Sequence, residues 1–414
     1  MKEIELTIRA LSPLAIGTRK PGGSVSEAQD HIPGAVIRGA IAAQILQYPD
    51  VDQIQPGGDF QQLFLEQEAA IFSNAYPSAR NHQGDILPVR LLPATAVSSK
   101  SNPGFCSSQS DSYGVFDTLI DRFCAEGHDH LYDPNCPRDG GRVEPYGGFY
   151  TVEDDDDGNP HYRPQKVETR LLTRVGINRR RATAQENILY GIEVISETRK
   201  KGQEETLFAG TIRLDDEALA RALANFINAP SQNWRLGGSA SRGLGKVEMT
   251  ARLQDVNSDV EDRIKQFNYY LHKRWKLWDV FGEPQNSLLD DRQFFTLDLQ
   301  SDAILTDRWR RTTVISAAML CQEAGVADRD LQLHASYSSY DYRAGWNAAW
   351  GLMKDIELVT NRGAVYLFST PRLDQWLPAL ERLEQRGVGE RTPEGFGQIR
   401  VCDEFHTIFR EEAK

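Results

Sequence analysis

Two segments of the chain repeat one order of signals, and that repetition constrains the fold more than any other feature. In the first, "TLFAGTIRL" (206–214) reads as a strand and "DDEALARALANFIN" (215–228) as a helix, followed by the loop "LGGSASRGLG" (236–245) and the alternating run "KVEMTARL". In the second, "GAVYLFST" (363–370) reads as a strand and "DQWLPALERLEQR" (374–386) as a helix. The glycine loop "GVGERTPEGFG" (387–397) and "QIRVC" follow. Asp215 and Asp374 each close an Arg-Leu-Asp tripeptide and stand where an N-cap is expected. Strand, helix, loop, strand is the second half of a ferredoxin-like βαββαβ unit.

The matching first half lies at the N-terminus, with "EIELTIRAL" (3–11) as a strand and "GAVIRGAIAAQIL" (34–46) as a helix. "RQFFTLDLQSD" (292–302) opens the second unit, whose first helix is not evident. The expected fold class is α+β, with tandem ferredoxin-like (RRM-related) modules and a large loop-rich insertion in the first. The expected limits are 1–254 for the N-terminal module, with the insertion at about 74–168, then 255–292 for a helical connector and 293–414 for the C-terminal module. In the connector, Val260, Ile264, Phe267, Leu271, Trp275 and Trp278 recur at helical spacing, which reads as core or interface packing rather than a base-stacking platform. The insertion is rich in Pro, Gly, Ser and Asp. Its acidic run "TVEDDDDGNPHYRP" (151–164) reads as a solvated loop, and so long a stretch with little periodicity is usually functional or mobile.

At 414 residues, two domains are the default, and 40% hydrophobic with 26% charged residues is a globular composition. Five cysteines, an odd number, give no disulfide framework. No run of eighteen apolar residues and no signal-peptide core is present, so a cytoplasmic location without membrane contact is expected. The net charge of −12 argues against a free-standing, nonspecific nucleic-acid binder. From Arg170 to Arg252, however, fourteen Lys+Arg stand against nine Asp+Glu. An acidic whole with a basic tract suits a polyanion at one place and proteins elsewhere, although charge alone fits chance equally well.

Four constellations carry chemistry. The glycine loops expose backbone N–H groups to which a phosphate can come close, with Arg242, Lys246 and Arg391 adding charge; the competing reading is a pair of tight turns that need left-handed residues. Neither loop is a phosphate-binding Walker sequence or a dinucleotide fingerprint, so nucleotide hydrolysis is not expected. In "HIPGAVIRGAIAAQI" (31–45), Arg38 sits near the positive end of a helix dipole and calls for an anionic partner, either a backbone phosphate or the carboxylate of Asp30 or Glu27. In "GINRRRATAQENILYGIEVI" (176–195), Arg179, Arg180 and Arg181 precede a strand; one or two of them can grip phosphates without reading sequence. Finally, Cys124, His128, His130, Cys136 and Asp139 crowd into residues 124–139. Two cysteines and a histidine supply three zinc donors, with Asp139 or Cys106 as the fourth; a degenerate site without metal is nearly as good a reading. No nucleophile elbow, zinc-protease helix or repeated metal-carboxylate motif accompanies them.

Taken together, "IPGAVIRGAIA", "GINRRRATAQENILYGIEVI", "LGGSASRGLGKVEM" and "GVGERTPEGFGQIRV" resemble the RAMP superfamily of CRISPR-associated proteins, and within it the large RAMP protein of subtype III-D effector complexes. The resemblance implies ferredoxin-like modules that hold CRISPR RNA beside other RAMP subunits and the large signature subunit of a type III complex, meeting target RNA indirectly. It implies RNA contacts at Arg38 and Gly39, at Arg179–Arg181, at Gly237, Gly238, Ser239, Arg242, Gly243, Gly245 and Lys246, and at Arg391, Gly395 and Gly397. A zinc-knuckle segment before "Gly-Phe-Tyr" is implied too, with Asp139 in the place of a cysteine. Two roles are open. One is a non-catalytic clamp on the 5′ repeat-derived tag of the guide, which the two modules and the long interruption resemble more. The other is a backbone subunit that cuts target RNA with Asp30. A structural adaptor without RNA contact is the third reading.

Overall fold

The computed structural model describes residues 1–18, 27–47, 58–66, 69–106, 111–154, 158–178, 183–199, 202–230, 233–256, 258–282, 284, 288–289, 291–347 and 351–414, with the backbone alone for 176–178, 183–189 and 346–347. Arg179, Arg180 and Arg181 lie outside the described residues.

Alternation decides the first sheet. In β1 (Lys2–Ala10), Ile4, Leu6, Ile8 and Ala10 are buried while Glu5 is exposed, so one face must be covered. The cover is α1 (Gly34–Ile45), through Ile37 and Ile41, and α2 (Glu217–Asn228), through Leu223 and Ile227. Burying each of these side chains stabilises by roughly 1.5–3 kcal/mol relative to leaving it in water. β1 pairs antiparallel with β3 (Leu207–Leu214; Leu6 opposite Gly210) and β4 (Val247–Asp255; Leu6 opposite Ala251). The short β2 (Ile71–Phe72) adds to the far edge of β3, giving the ferredoxin-like order β4-β1-β3-β2. The other face of this sheet is polar and self-neutralised, for Arg9 pairs with Glu205 (2.7 Å) and Glu248 (2.6 Å) and Arg213 with Glu3 (2.6 Å). Phe208, the sole aromatic residue in β1, β3 and β4, is buried.

The second sheet repeats the order with β5 (Gln293–Leu299), α4 (Ala317–Ala324), β6 (Gln332–Tyr337), β7 (Val365–Thr370), α5 (Leu373–Arg386) and β8 (Ile399–Val401). Its strands run β6-β7-β5-β8. The helix that the sequence did not reveal, α4, is only eight residues long, capped by Ser316 on the Met319 amide (3.2 Å) and stopped by Gly325 at φ +67°. Unlike β1, β5 is buried on both faces. Phe295 meets Trp376 of α5, and on the opposite face Phe294 meets Phe123 of the insertion helix Leu119–Gly127. The connecting helix α3 (Val260–Trp278) buries Val260, Ile264, Phe267, Leu271 and Trp275 in this same core.

Two expectations need correction. The N-cap of α2 is Asp216, which accepts from the Leu219 amide (2.9 Å) with extended backbone; Asp215 instead pairs with Arg386 of α5 and so joins the modules. Asp374 lies inside the first turn of α5 behind Arg372. The acidic run 151–164 of the loop-rich insertion also contributes to a sheet. The insertion holds two three-stranded sheets, one of them including the hairpin Phe149–Asp154/Pro160–Gln165, where a solvated loop was expected. Strands of three to six residues are too short to leave a readable period.

The insertion is tied to the C-terminal tail by charge. His406, fully buried, lies 2.9 Å from Asp298 of β5 and 3.3 Å from Asp117 of the insertion. Burial alone favours the neutral ring, but Asp298 and Asp117 hold its pKa well above the ordinary histidine value. A group raised on folding contributes stability that is complete below its unfolded pKa and lost as pH rises through the folded one. Urea unfolding is therefore expected to show stability falling on the alkaline side of neutrality. His406→Gln, which leaves two buried carboxylates without a cation, is expected to cost about 3–5 kcal/mol at pH 7 and to flatten that alkaline decline. A variant as stable as the parent would contradict the assignment.

Candidate functional site

The two glycine loops share one backbone path. In the first, Gly237, Ser239, Gly243 and Gly245 have φ of +84°, +60°, +84° and +83°; in the second, Gly389, Arg391, Gly395 and Gly397 have +78°, +58°, +92° and +65°. Each loop makes a single 3-10 turn, Ala240–Arg242 or Thr392–Glu394. Each also wraps the segment that follows its module's first strand. Gly238 and Gly245 donate to the carbonyls of Ala15 (2.8 Å) and Pro13 (2.9 Å), as Glu390 and Gly397 do to those of Ile304 and Asp302 (both 2.9 Å). A Cβ on Gly245 would stand 2.5 Å from the Leu236 carbonyl oxygen, and one on Gly397 only 1.9 Å from that of Val388. Close approach of the chain to itself is thus the first reason for these glycines.

What differs is what lies outside each loop. The second is packed against the first module: a Cβ on Gly395 would lie 2.7 Å from Asn74 Oδ1 and 2.9 Å from the Phe72 carbonyl oxygen. Asn74 Oδ1 also accepts from the Gly34 amide at the start of α1 (2.9 Å). Arg391 is paired with Glu394 (2.6 Å) and lies 5.0 Å over the Phe396 ring, while Lys354 reaches the same carboxylate (2.9 Å). Although burial opposes it, Arg391 and Lys354 draw Glu394 down to about 2. Arg391, Gly395 and Gly397 are therefore engaged within the protein. The first loop is open. Nothing lies within 4 Å of a Cβ built on Gly243, Lys246 is exposed with its amide on Ser12 Oγ (2.8 Å), and Gly237, Gly238 and Arg242 are exposed.

Beside the open loop rises a long hairpin, Thr169–Asn178 paired with Thr183–Ile195. Its base is fixed where Leu14 and Ile195 exchange amide hydrogen bonds (both 2.9 Å) and where Glu193 accepts from the Ala28 amide (2.7 Å). Arg242 of the loop donates to the hydroxyl of Tyr190 in the hairpin (2.7 Å) and stands 5.7 Å over its ring. Arg174 lies opposite Tyr190 in the register, and Leu171 and Val175 are 61% and 48% exposed; Arg179–Arg181 follow Asn178 in the sequence, outside the described residues. A two-stranded hairpin with exposed apolar residues is marginal by itself and calls for a partner. Sequence reading passed over Tyr190; its signal was the thirteen-residue strand that follows the arginines.

The remaining candidates, Gly39 apart, are held by the fold. Arg38 finds its acceptor in the Phe64 carbonyl and stacks 5.6 Å over the Phe64 ring, not on Asp30 or Glu27; Gly39 is exposed on α1. Asp30 lies 2.8 Å from His31 Nδ1 and is gripped by both terminal nitrogens of Arg362, one at 3.1 Å. Despite partial burial, His31 and Arg362 hold it well below the ordinary carboxylate range. So acidic a carboxylate is a weak general base, and its geometry is that of a bolt between modules.

The zinc donors do not converge. Cys124 lies on the core side of the insertion helix, where burial pushes its thiol pKa up. The two ring nitrogens of His128 are taken by the Cys124 carbonyl (2.7 Å) and Asp279 (3.1 Å), and His130 packs on Phe281 with rings 5.1 Å apart. Asp139 accepts from the Cys136 thiol and, at 2.9 Å, the Gly141 amide within one turn. Among the described residues, no three His, Cys, Asp or Glu side chains gather as metal ligands. These residues do not fit a four-donor zinc site.

Two outcomes follow. Elemental analysis of the purified chain is expected to find less than stoichiometric zinc; one ion per chain would mean that the segment 124–139 rearranges. Gly243→Ala is expected to lose about 1–2 kcal/mol from left-handed backbone strain alone. Gly395→Ala must add the clash with Asn74 and Phe72, so urea unfolding is expected to show a clearly larger loss, and equal losses would contradict the docking described above.

Comparison with known proteins matches residues 7–248 to the family described as the RAMP superfamily. No curated protein matches the sequence. Among solved structures, the chain is similar to one in the type III-B Cmr-beta complex bound to cognate target RNA and AMPPNP, at 11% identity over 88% of this chain and 86% of that one, with a TM-score of 0.39. It is also similar to a chain of Cmr-beta bound to cognate target RNA, at 12% identity over the same shares and a TM-score of 0.38. Oligomeric Cmr4 from Pyrococcus furiosus follows, at 14% identity over 62% of this chain and all of that one, with a TM-score of 0.26. The family match alone spans more than half of the sequence and runs from β1 through the open glycine loop into β4; the chain belongs to the RAMP superfamily.

Proposed function

We infer that this protein is a non-catalytic RNA-binding subunit of a type III CRISPR antiviral effector complex, of the III-D kind, gripping CRISPR RNA near its 5′ repeat-derived tag. The observation that carries this reading is the unequal fate of two loops of one backbone geometry. One closes on the protein's own first module, while its twin stays open beside an arginine-bearing hairpin. The side chains of Arg242, Lys246 and Arg179–Arg181 then meet phosphates and 2′-hydroxyls across the open face of the loop, whose Gly238, Gly245 and Lys246 amides are already spent on residues 12–15, and the exposed apolar residues of the hairpin meet splayed bases. The sheet faces are not the RNA surface, since the first is closed by ion pairs without an exposed aromatic ring and β5 of the second is buried on both sides. Acidic surface elsewhere faces other RAMP subunits, the large signature subunit or solvent. Target RNA is met only through the guide.

The non-catalytic part of the reading rests on Asp30, whose two oxygens are engaged by Arg362 and His31. In the assembled complex, Arg179–Arg181→Ala is expected to strip guide RNA and to lower the log–log salt slope of binding by about 0.7 for each phosphate no longer neutralised. Asp30→Ala is expected to leave the cutting pattern of a matching target unchanged. Unaltered RNA occupancy in the first variant, or a missing cut in the second, would contradict the reading.

A further inference from the structure

The β5 module carries a feature that packing does not explain. Strands Leu305–Asp307 and Arg310–Thr312 pair with Asp307 opposite Arg310, which leaves Arg308 and Trp309 as a two-residue turn. Their φ values are +46° and +69°. A turn with two left-handed residues is normally built from Asn, Asp or Gly, because a bulky side chain is strained there. Trp309 is nevertheless 99% exposed, and its ring meets no other ring among the described residues. Strain of this kind persists only where the surroundings hold it, and they do. Ile304 and Leu305 at the root are fully buried, and Arg311 clamps the hairpin to Glu390 of the closed glycine loop (2.6 Å) and to Glu357 (2.7 Å). Arg308 and Arg310, on either side of the indole, are exposed and have no carboxylate partner among the described residues.

The place matters as much as the chemistry. In the first module, the pair Gly17–Thr18/Glu27–Ala28 follows the segment wrapped by the open loop, just as this hairpin follows the segment wrapped by the closed one. Where the second module's loop is consumed by docking, its hairpin still presents a π face between two exposed guanidinium groups. An aromatic anchor for a protein would sit within apolar surface, whereas Trp309 is flanked by Asp307, Arg308 and Arg310. A ring for stacking, with cations for the adjacent phosphates, matches an unpaired stretch of nucleic acid.

We propose that Trp309, with Arg308 and Arg310, is a second RNA contact at which the indole stacks on an unpaired base of single-stranded RNA and the arginines hold the flanking phosphates. This rests on the RNA-binding reading above. The test titrates the full-length chain against a labelled, mixed-sequence single-stranded RNA at fixed salt, by fluorescence anisotropy. Trp309→Ala is expected to weaken binding about 5- to 150-fold, the range of one missing base stack, while Trp309→Phe stays much closer to the parent. Trp309→Gly, which relieves the left-handed strain, is expected to weaken binding to the same degree while melting no lower than the parent, so misfolding cannot account for the weaker binding. Unchanged affinity in Trp309→Ala, while Arg179–Arg181→Ala loses binding, overturns this proposal and leaves the general reading standing. Loss of a protein subunit from the assembled complex without any loss of RNA affinity also overturns it, as the ring would then anchor a protein. A parent chain and complex that hold no RNA at all remove both readings.

Discussion

The seating of the second glycine loop against β2 and the start of α1 is the contact on which the rest of the architecture depends. It requires backbone from both modules to meet without side chains between them. A Cβ on Gly34 would stand 2.0 Å from the Phe72 carbonyl oxygen and 2.9 Å from that of Glu394, and Gly395 faces Phe72 and Asn74 from the other side. Around that seam, Asp30–Arg362, Asp215–Arg386 and the Tyr76 hydroxyl on the Gln300 carbonyl (2.5 Å) fix the relative position of the modules. Exposed ion pairs of this sort add at most about 1 kcal/mol each. The seam is therefore a matter of shape first and charge second.

That division has a functional consequence. Each arginine drawn into the seam is withdrawn from any polyanion, and each carboxylate it neutralises no longer repels one. Arg362, Arg386 and Arg391 all have acidic partners within the chain, as do Arg9 and Arg213 on the first sheet. A chain of net charge −12 can then present cations locally, at the open loop and the hairpins, without a basic surface overall. The β5 sheet, covered by α3, the insertion helix and the tail that carries His406, serves as the anchor rather than as a binding face.

The sequence revealed the duplicated ferredoxin-like order because it is written in features of adequate length: strands of six to nine residues, amphipathic helices of twelve to fourteen, and recurring glycines after each helix. It concealed α4 and the strands of the insertion, which are too short for periodicity to register. The candidate site was half legible. The two loops share a glycine spacing, 237, 243 and 245 against 389, 395 and 397, and with it a backbone path, but the exposure of one and the burial of the other depend on Asn74 and Phe72, far away in sequence. Crowding of Cys124, His128, His130, Cys136 and Asp139 along the chain likewise said nothing about whether their side chains converge, and helix geometry turns Cys124 into the core. Trp309 was visible as a tryptophan among arginines in "TDRWRRT", yet only the turn geometry marks it as exposed and strained.

Ultraviolet crosslinking of the purified complex, with crosslinked peptides mapped by mass spectrometry, tests the central claim most directly, because the two loops serve as controls for each other. The account predicts RNA adducts on peptides from 236–249 and from the hairpin containing Tyr190, and none from 387–397. Adducts on the closed loop with none on the open one would contradict it.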